Sequence, residues 1–342
     1  MVLSVSMANL GSGPDHDDSR SNVMIKADRK ASAEGSVHFG LSSPSGMNLG
    51  LAALALGVEC GVLLGPSLLR AHQLGLLAGI LVSFLVLTPM HWGLIHEGIH
   101  GRLLAGAGVG PGANRAASRI LAIFFGLPFE LVRFGHLVHH RFNGHVHDRP
   151  ERIKTGESRW TSCARHYSHL LGGHYFTIGI IGLLMFCPGS VRRWVLERAL
   201  ADDGAEAHAI TRAALNWSGN HRLVGRARVD FLACLALGAA TVFAYGVYWP
   251  LFAATLLARA FVFSVLDNLP HYGTTGRGDD SAYDLHLPAW AAWLVLHHNL
   301  HRAHHEHPEL AWTEVRQSRS DAPLHGSYVR AALRQFMGPR TY

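Results

Sequence analysis

Residues 231–268 read FLACLALGAATVFAYGVYWPLFAATLLARAFVFSVLDN, and only Arg259 carries a charge before Asp267. A helix needs about 20 mostly apolar residues to cross a hydrocarbon core of roughly 30 Å. This stretch is long enough to cross twice, from Phe231 to Tyr248 and from Leu251 to Asn268, with only Trp249 and Pro250 between the two runs. Aromatic rings at that turn suit a membrane–water interface. Toward the N-terminus, Met47 to Gly65 and Leu74 to Ile95 form a second pair around a turn with Pro66 and Arg70. The expected fold is therefore all-α and integral to the membrane, with two transmembrane helical hairpins and four spans.

Composition agrees. Apolar residues make up 49 % and charged residues 16 %, a low charged share for a soluble domain. Basic residues outnumber acidic ones by 30 to 24, and Arg supplies nearly all of them, since Lys26, Lys30 and Lys154 are the only lysines. No Lys/Arg tract with interleaved aromatics is present, which argues against nucleic acid as a partner. Cys60, Cys163, Cys187 and Cys234 are far apart and form no C-x-x-C, so neither a disulfide framework nor a zinc ribbon is expected. Residues 1–46 are polar, rich in Ser and Gly, and lack the apolar run of a cleavable signal. They read as a disordered tail before a body at 47–315 and a cytoplasmic C-terminal tail at 316–342.

Charge sets the expected orientation. The two hairpin turns share one Arg, Arg70, whereas residues 101–170 carry ten basic residues. The positive-inside tendency puts that stretch and both chain ends in the cytoplasm, on a helical cap, as in a bacterial inner-membrane protein. The segment from His169 to Cys187 is apolar enough to span, but a span there would put the last histidine cluster on the opposite side from the others. It is expected to be re-entrant or interfacial, with Gly172, Gly173 and His174 near its start.

Histidine stands at 25 of 342 residues, and much of it is clustered. The clusters are His96-Glu97-Gly98-Ile99-His100, His136-Leu137-Val138-His139-His140, and His301-Arg302-Ala303-His304-His305 preceded by Asn299. Steps of three and four put these rings on one helix face, so the three of each H-x-x-H-H can converge on one centre. Neutral imidazole suits iron, zinc and copper, and eight imidazoles are too many for one ion. Two ions fit the count. Taken alone, His96-Glu97-Gly98-Ile99-His100 also satisfies the H-E-x-x-H of a zinc metalloprotease, and clustered ligands also occur in metal transporters.

Two charges lie inside the expected spans. Entering from the cytoplasm near Met47, Glu59 sits about 18 Å deep at 1.5 Å per residue. Arg259, in a span entered from the other side near Pro250, lies about 17 Å from the cytoplasmic face of a core of roughly 30 Å. Equal depth predicts an ion pair between the first and last spans.

Three such boxes in this order on two membrane hairpins resemble the membrane fatty acid desaturase and hydroxylase superfamily. The likeness covers roughly residues 47 to 315 and includes Asn299 through His305 to Pro308 and Trp312. Asp267-Asn268-Leu269-Pro270-His271 lies where relatives carry Asn-x-x-x-His. The resemblance implies His271 as a ninth metal ligand and leaves Asp267 and Asn299 as metal-binding or supporting groups. His91, five residues before His96, is a further candidate. It also implies two Fe2+ ions, O2 as co-substrate, a lipid or fatty acyl substrate, and an external electron donor such as a ferredoxin or cytochrome with its reductase. Desaturation is the expected reaction, with hydroxylation by the same site as the alternative.

Overall fold

The computed structural model describes residues 44–341 apart from 146, 155, 202–203, 276–280 and 320–323, so the expected N-terminal tail falls almost wholly outside it. The described chain is helical, and its only β features are isolated bridges such as Asp284 with Leu300. Helix α1 covers Pro44–Leu63, α2 Leu74–Val86 and α3 Thr88–Ile99. Helices α4 (Pro111–Phe125) and α5 (Phe129–Phe142) follow. Then come α6 (Arg159–Ser168), α7 (His174–Leu184), α8 (Gly189–Ala199) and α9 (Ala205–Gly219). Two long helices, α10 (His221–Tyr245) and α11 (Trp249–Asn268), precede the short α12 (His301–Glu306).

By length and composition, Ser45–Leu63 and His221–Asn268 can cross a membrane, and two bent pairs bring the possible spans to four. Only 17 % of the most apolar window in His221–Asn268 is buried inside the protein. Apolar residues so exposed on long helices need a lipid solvent. The chain folds back within this stretch. Ile123 O lies 4.0 Å from Cys234 Sγ, and Phe125 packs on Phe263 at 5.6 Å. On one straight helix Cys234 and Phe263 would stand about 44 Å apart. The reversal occurs at Gly246, whose φ of +53° is open to glycine at little cost, one turn earlier than the expected Trp249-Pro250. Helix α10 also starts ten residues before the expected Phe231, because Asn220 Oδ1 caps it by accepting the Arg222 and Leu223 N–H groups.

The second expected span, Leu74 to Ile95, is α2 and α3 joined at a 46° bend. Pro89 lacks an N–H, and its ring opposes the helical path of the preceding turn. Helices α4 and α5 form a second bent pair, at 102°, which the sequence reading did not anticipate. Gly126, at φ +90°, ends α4 with a left-handed cap.

His169 to Cys187 makes no spanning helix. It begins with a kink at His169–Gly173, where Gly172 is left-handed and the His174 N–H closes a turn on His169 O, and continues as the eleven residues of α7. That is about 16 Å of helix, half of a hydrocarbon core. The C-terminal stretch folds back on the body rather than trailing from it. Gln335 accepts at Oε1 from Asn268 Nδ2 (2.8 Å) and donates to Val265 O (3.0 Å), while His166 Nε2 donates to its backbone carbonyl (2.8 Å).

The main core, with Met90, Leu94, Ile95, Leu121, Phe125, Phe129 and Phe263, joins α3, α4, α5 and α11. Through it runs the expected charge pair. Arg259 donates to Glu59 Oε1, and its guanidinium lies between the Phe84 and Phe125 rings at 3.4 and 4.6 Å. Both side chains are buried.

Candidate metal centre

The ends of α3, α5 and α11 meet α12 at one end of the bundle. Nine histidines come together there in two groups. One contains His96, His100, His136, His140 and His304, and the other His139, His271, His301 and His305. Within each group one potential ligand atom per residue lies within 4.8 Å of every other. These are the nine histidines singled out from the sequence.

The way they divide differs from expectation. The three rings of an H-x-x-H-H do not share a centre. His136 and His140 join the first group while His139 crosses to the second. His301 and His305 join the second while His304 crosses to the first. The reason is helical geometry. Residues four apart point nearly the same way, but consecutive residues such as His139 and His140 point about 100° apart at 3.6 residues per turn. Each box therefore supplies an i, i+4 pair to one centre and its middle histidine to the other. His140 and His305 stack at 4.2 Å where the two groups touch.

The nitrogen geometry suits metal ions. In the first group the Nε2 atoms of His100 and His136 are 2.9 Å apart, of His136 and His140 3.0 Å, and of His140 and His304 3.1 Å. In the second, His139 and His305 are 3.3 Å apart and His301 and His305 3.2 Å. Two ligands at right angles, each about 2.1 Å from an ion, lie about 3.0 Å from each other. His96 Nε2 is buried and has no hydrogen-bond partner among the described residues, as expected of an atom awaiting an ion. Burial and then neighbouring imidazoles push His301, His304 and His305 well below the ordinary histidine pKa. This keeps them in the neutral form that ligation requires.

Groups behind the rings fix their tautomers. His139 Nδ1 donates to Asp148 Oδ1 and Oδ2 at 2.8 and 2.9 Å, and His271 Nδ1 donates to Ser281 O at 2.8 Å. Each leaves Nε2 free for an ion. Asn143 lies 3.2 Å from His305 Nδ1 through Nδ2, while its buried Oδ1 has no partner among the described residues. With Nε2 ligating, Nδ1 carries a proton, and the opposite amide orientation satisfies both groups. Asp284 Oδ1 accepts the Arg302 and Ala303 N–H groups at 3.0 and 3.2 Å, capping α12 and holding the third box. Asp148, Asn143 and Asp284 were not singled out from the sequence, because they lie on loops without periodicity. Asp148→Asn is expected to lower metal affinity or activity about 10–100-fold. Iron content and turnover of the purified variant measure it, and wild-type values for both would remove Asp148 from the site.

Three candidates stand outside both groups. His91 uses both ring nitrogens elsewhere, with Nδ1 3.0 Å from Glu59 Oε1 and Nε2 3.0 Å from Leu121 O. Asp267 pairs through Oδ2 with His174 Nε2 at 3.2 Å. Asn299 donates from Nδ2 to Leu285 O at 2.9 Å, in the turn before α12.

A cavity of about 390 Å³ opens onto the histidines. His96, His136, His139, His271 and His301 form part of its wall. Away from them it is lined by apolar side chains of α5, α7, α8 and α9, among them Val138, Ile181, Leu196, Ile210 and Trp217.

The chain matches the fatty acid desaturase family over residues 72–328 and belongs to that family. Membership makes it an oxidoreductase of a membrane-bound family that acts on lipid or acyl substrates. No curated protein and no solved structure matches it.

Proposed function

We propose that the protein is a four-span membrane enzyme that holds two iron ions and uses O2 to desaturate a fatty acyl chain. The observation that carries this reading is an apolar cavity walled at one end by two imidazole groups. Two iron ions, with O2 and two electrons from an external ferredoxin or cytochrome, supply the oxidising power to remove hydrogen from an unactivated C–H bond. The chain's own residues do the rest. Nine imidazoles hold the ions, and the absence of thiolate ligands protects the site from its own oxidant. Asp148 and the Ser281 carbonyl keep the proton on Nδ1 of His139 and His271. The apolar walls align the chain beside the ions and exclude water that would waste the oxidant.

Hydroxylation uses the same residues and is the second reading. The zinc protease reading fits poorly, because Glu97 joins neither histidine group and does not line the cavity. A general base must reach the bound water.

In this reading α1, α2 with α3, α10 and α11 cross the membrane, and the histidines face the cytoplasm. Cys163 on α6 and an Ala289→Cys variant should both react with a membrane-impermeant thiol reagent only from the cytoplasmic side. Labelling from opposite sides would break the topology. The function itself is tested by lipid mass spectrometry of cells expressing the protein against a His139→Ala control. A new double bond supports desaturation, a new hydroxyl favours the second reading, and identical profiles count against both.

A further inference from the structure

One wall of the cavity is polar where an alkyl chain needs no polar group. His169 and His174 stand five residues apart, a spacing that puts side chains on different faces of an α-helix. Here the His174 N–H donates to His169 O in a π turn, and the two rings come within 4.6 Å. The turn depends on Gly172, at φ +108°, where an added Cβ would press on Ala260 of α11 at 3.3 Å. His174 stacks on Phe263 at 5.2 Å and reaches Asp267 Oδ2 through Nε2 at 3.2 Å. His169, His174 and Asp267 all line the cavity that His96, His136, His139, His271 and His301 also line, yet none of the three belongs to either histidine group. A carboxylate on such a wall costs desolvation and adds nothing to holding a hydrocarbon.

We propose that His169, His174 and Asp267 form the path by which protons reach the reaction, an inference that rests on the oxidative reading above. The balance requires such a path. Converting CH2–CH2 to CH=CH gives up two electrons and two protons, and the external donor supplies two more electrons. Reducing O2 to two waters then consumes two further protons. Electrons can tunnel through a dry wall, but protons need titratable groups or water within hydrogen-bond reach. The Asp267 carboxylate accepts from His174 Nε2 and holds that imidazolium at the cavity wall, His174 gives its proton up to the reaction, and the His169 ring, 4.6 Å away, stands next in line. The charges around the line are largely imidazoles. His139, His96 and His298 lie within electrostatic reach of Asp267, and His166 and Asp148 within reach of His169.

The test uses Asp267→Asn, His174→Gln and Asp267→Glu. Iron content and melting temperature are measured on purified protein. Product, O2 uptake and peroxide are measured in membranes reduced by NADPH through a ferredoxin reductase and a ferredoxin, against membranes without the protein. Asp267→Asn and His174→Gln should keep wild-type iron and melting, lose product formation about 100-fold, and release consumed O2 as hydrogen peroxide. Asp267→Glu should recover much of the product. Wild-type product without peroxide in Asp267→Asn would overturn the path, and so would loss of its iron, which would make Asp267 a ligand. Wild-type protein that takes up O2 with full iron but oxidises no lipid would overturn the functional reading instead, and the path with it.

Discussion

Alanine in place of any one of His96, His100, His136, His139, His140, His271, His301, His304 or His305 should abolish lipid oxidation. The loss should exceed the roughly 10–100-fold expected when only a group behind a ligand is removed. The reason is the shared construction of the site. Each H-x-x-H-H gives rings to both centres, so no single histidine can be lost without opening one of them. Exposed histidines away from the centre, such as His208 on α9, should tolerate alanine. The measurement is oxidised lipid per cell at matched protein level. Full activity in His139→Ala or His304→Ala, the two rings that cross between centres, would break the two-centre assignment.

Eight of the nine rings were legible in the sequence because metal ligation constrains spacing, and three- and four-residue steps survive in the primary structure, whereas His271 came only from the likeness to the desaturase superfamily. Their division between two centres was not, since it depends on how α5 and α12 face each other. Equal depth in the membrane was enough to pair Glu59 with Arg259, but nothing in the local pattern tied His91 to Glu59. That contact crosses between α1 and α3. The bent α4–α5 pair escaped notice because Arg115 and Arg119 break its apolar pattern. The meeting of His169 and His174 depends on a π turn, and a five-residue spacing has no meaning in either an α-helix or a strand.

The second large effect concerns the buried charges. Glu59 Oε1 accepts from Arg259 and lies 3.0 Å from His91 Nδ1, with all three side chains buried. Glu59→Leu or Arg259→Leu alone should destabilise the protein by about 3–5 kcal/mol, because the remaining charge is left unpaired in a low-dielectric core. Replacing both should recover much of that loss, since a well-packed apolar pair often does as well as a buried ion pair. His91 makes the prediction asymmetric. Arg259→Leu leaves Glu59 a partner in His91, so its cost should be the smaller of the two. Thermal melting of the single and double variants in detergent reads this directly. Costs that simply add would mean that the two residues do not interact.

The central claim is that the two imidazole groups hold two ions of one redox metal. Metal analysis of gently purified protein, with His96→Ala and His301→Ala alongside, tests it most directly. The account predicts about two equivalents of iron per chain in the wild type, as nine nitrogen ligands suit two ions, and a lower iron content in each variant. A single equivalent of zinc, with activity surviving in His136→Ala and His304→Ala, would contradict it.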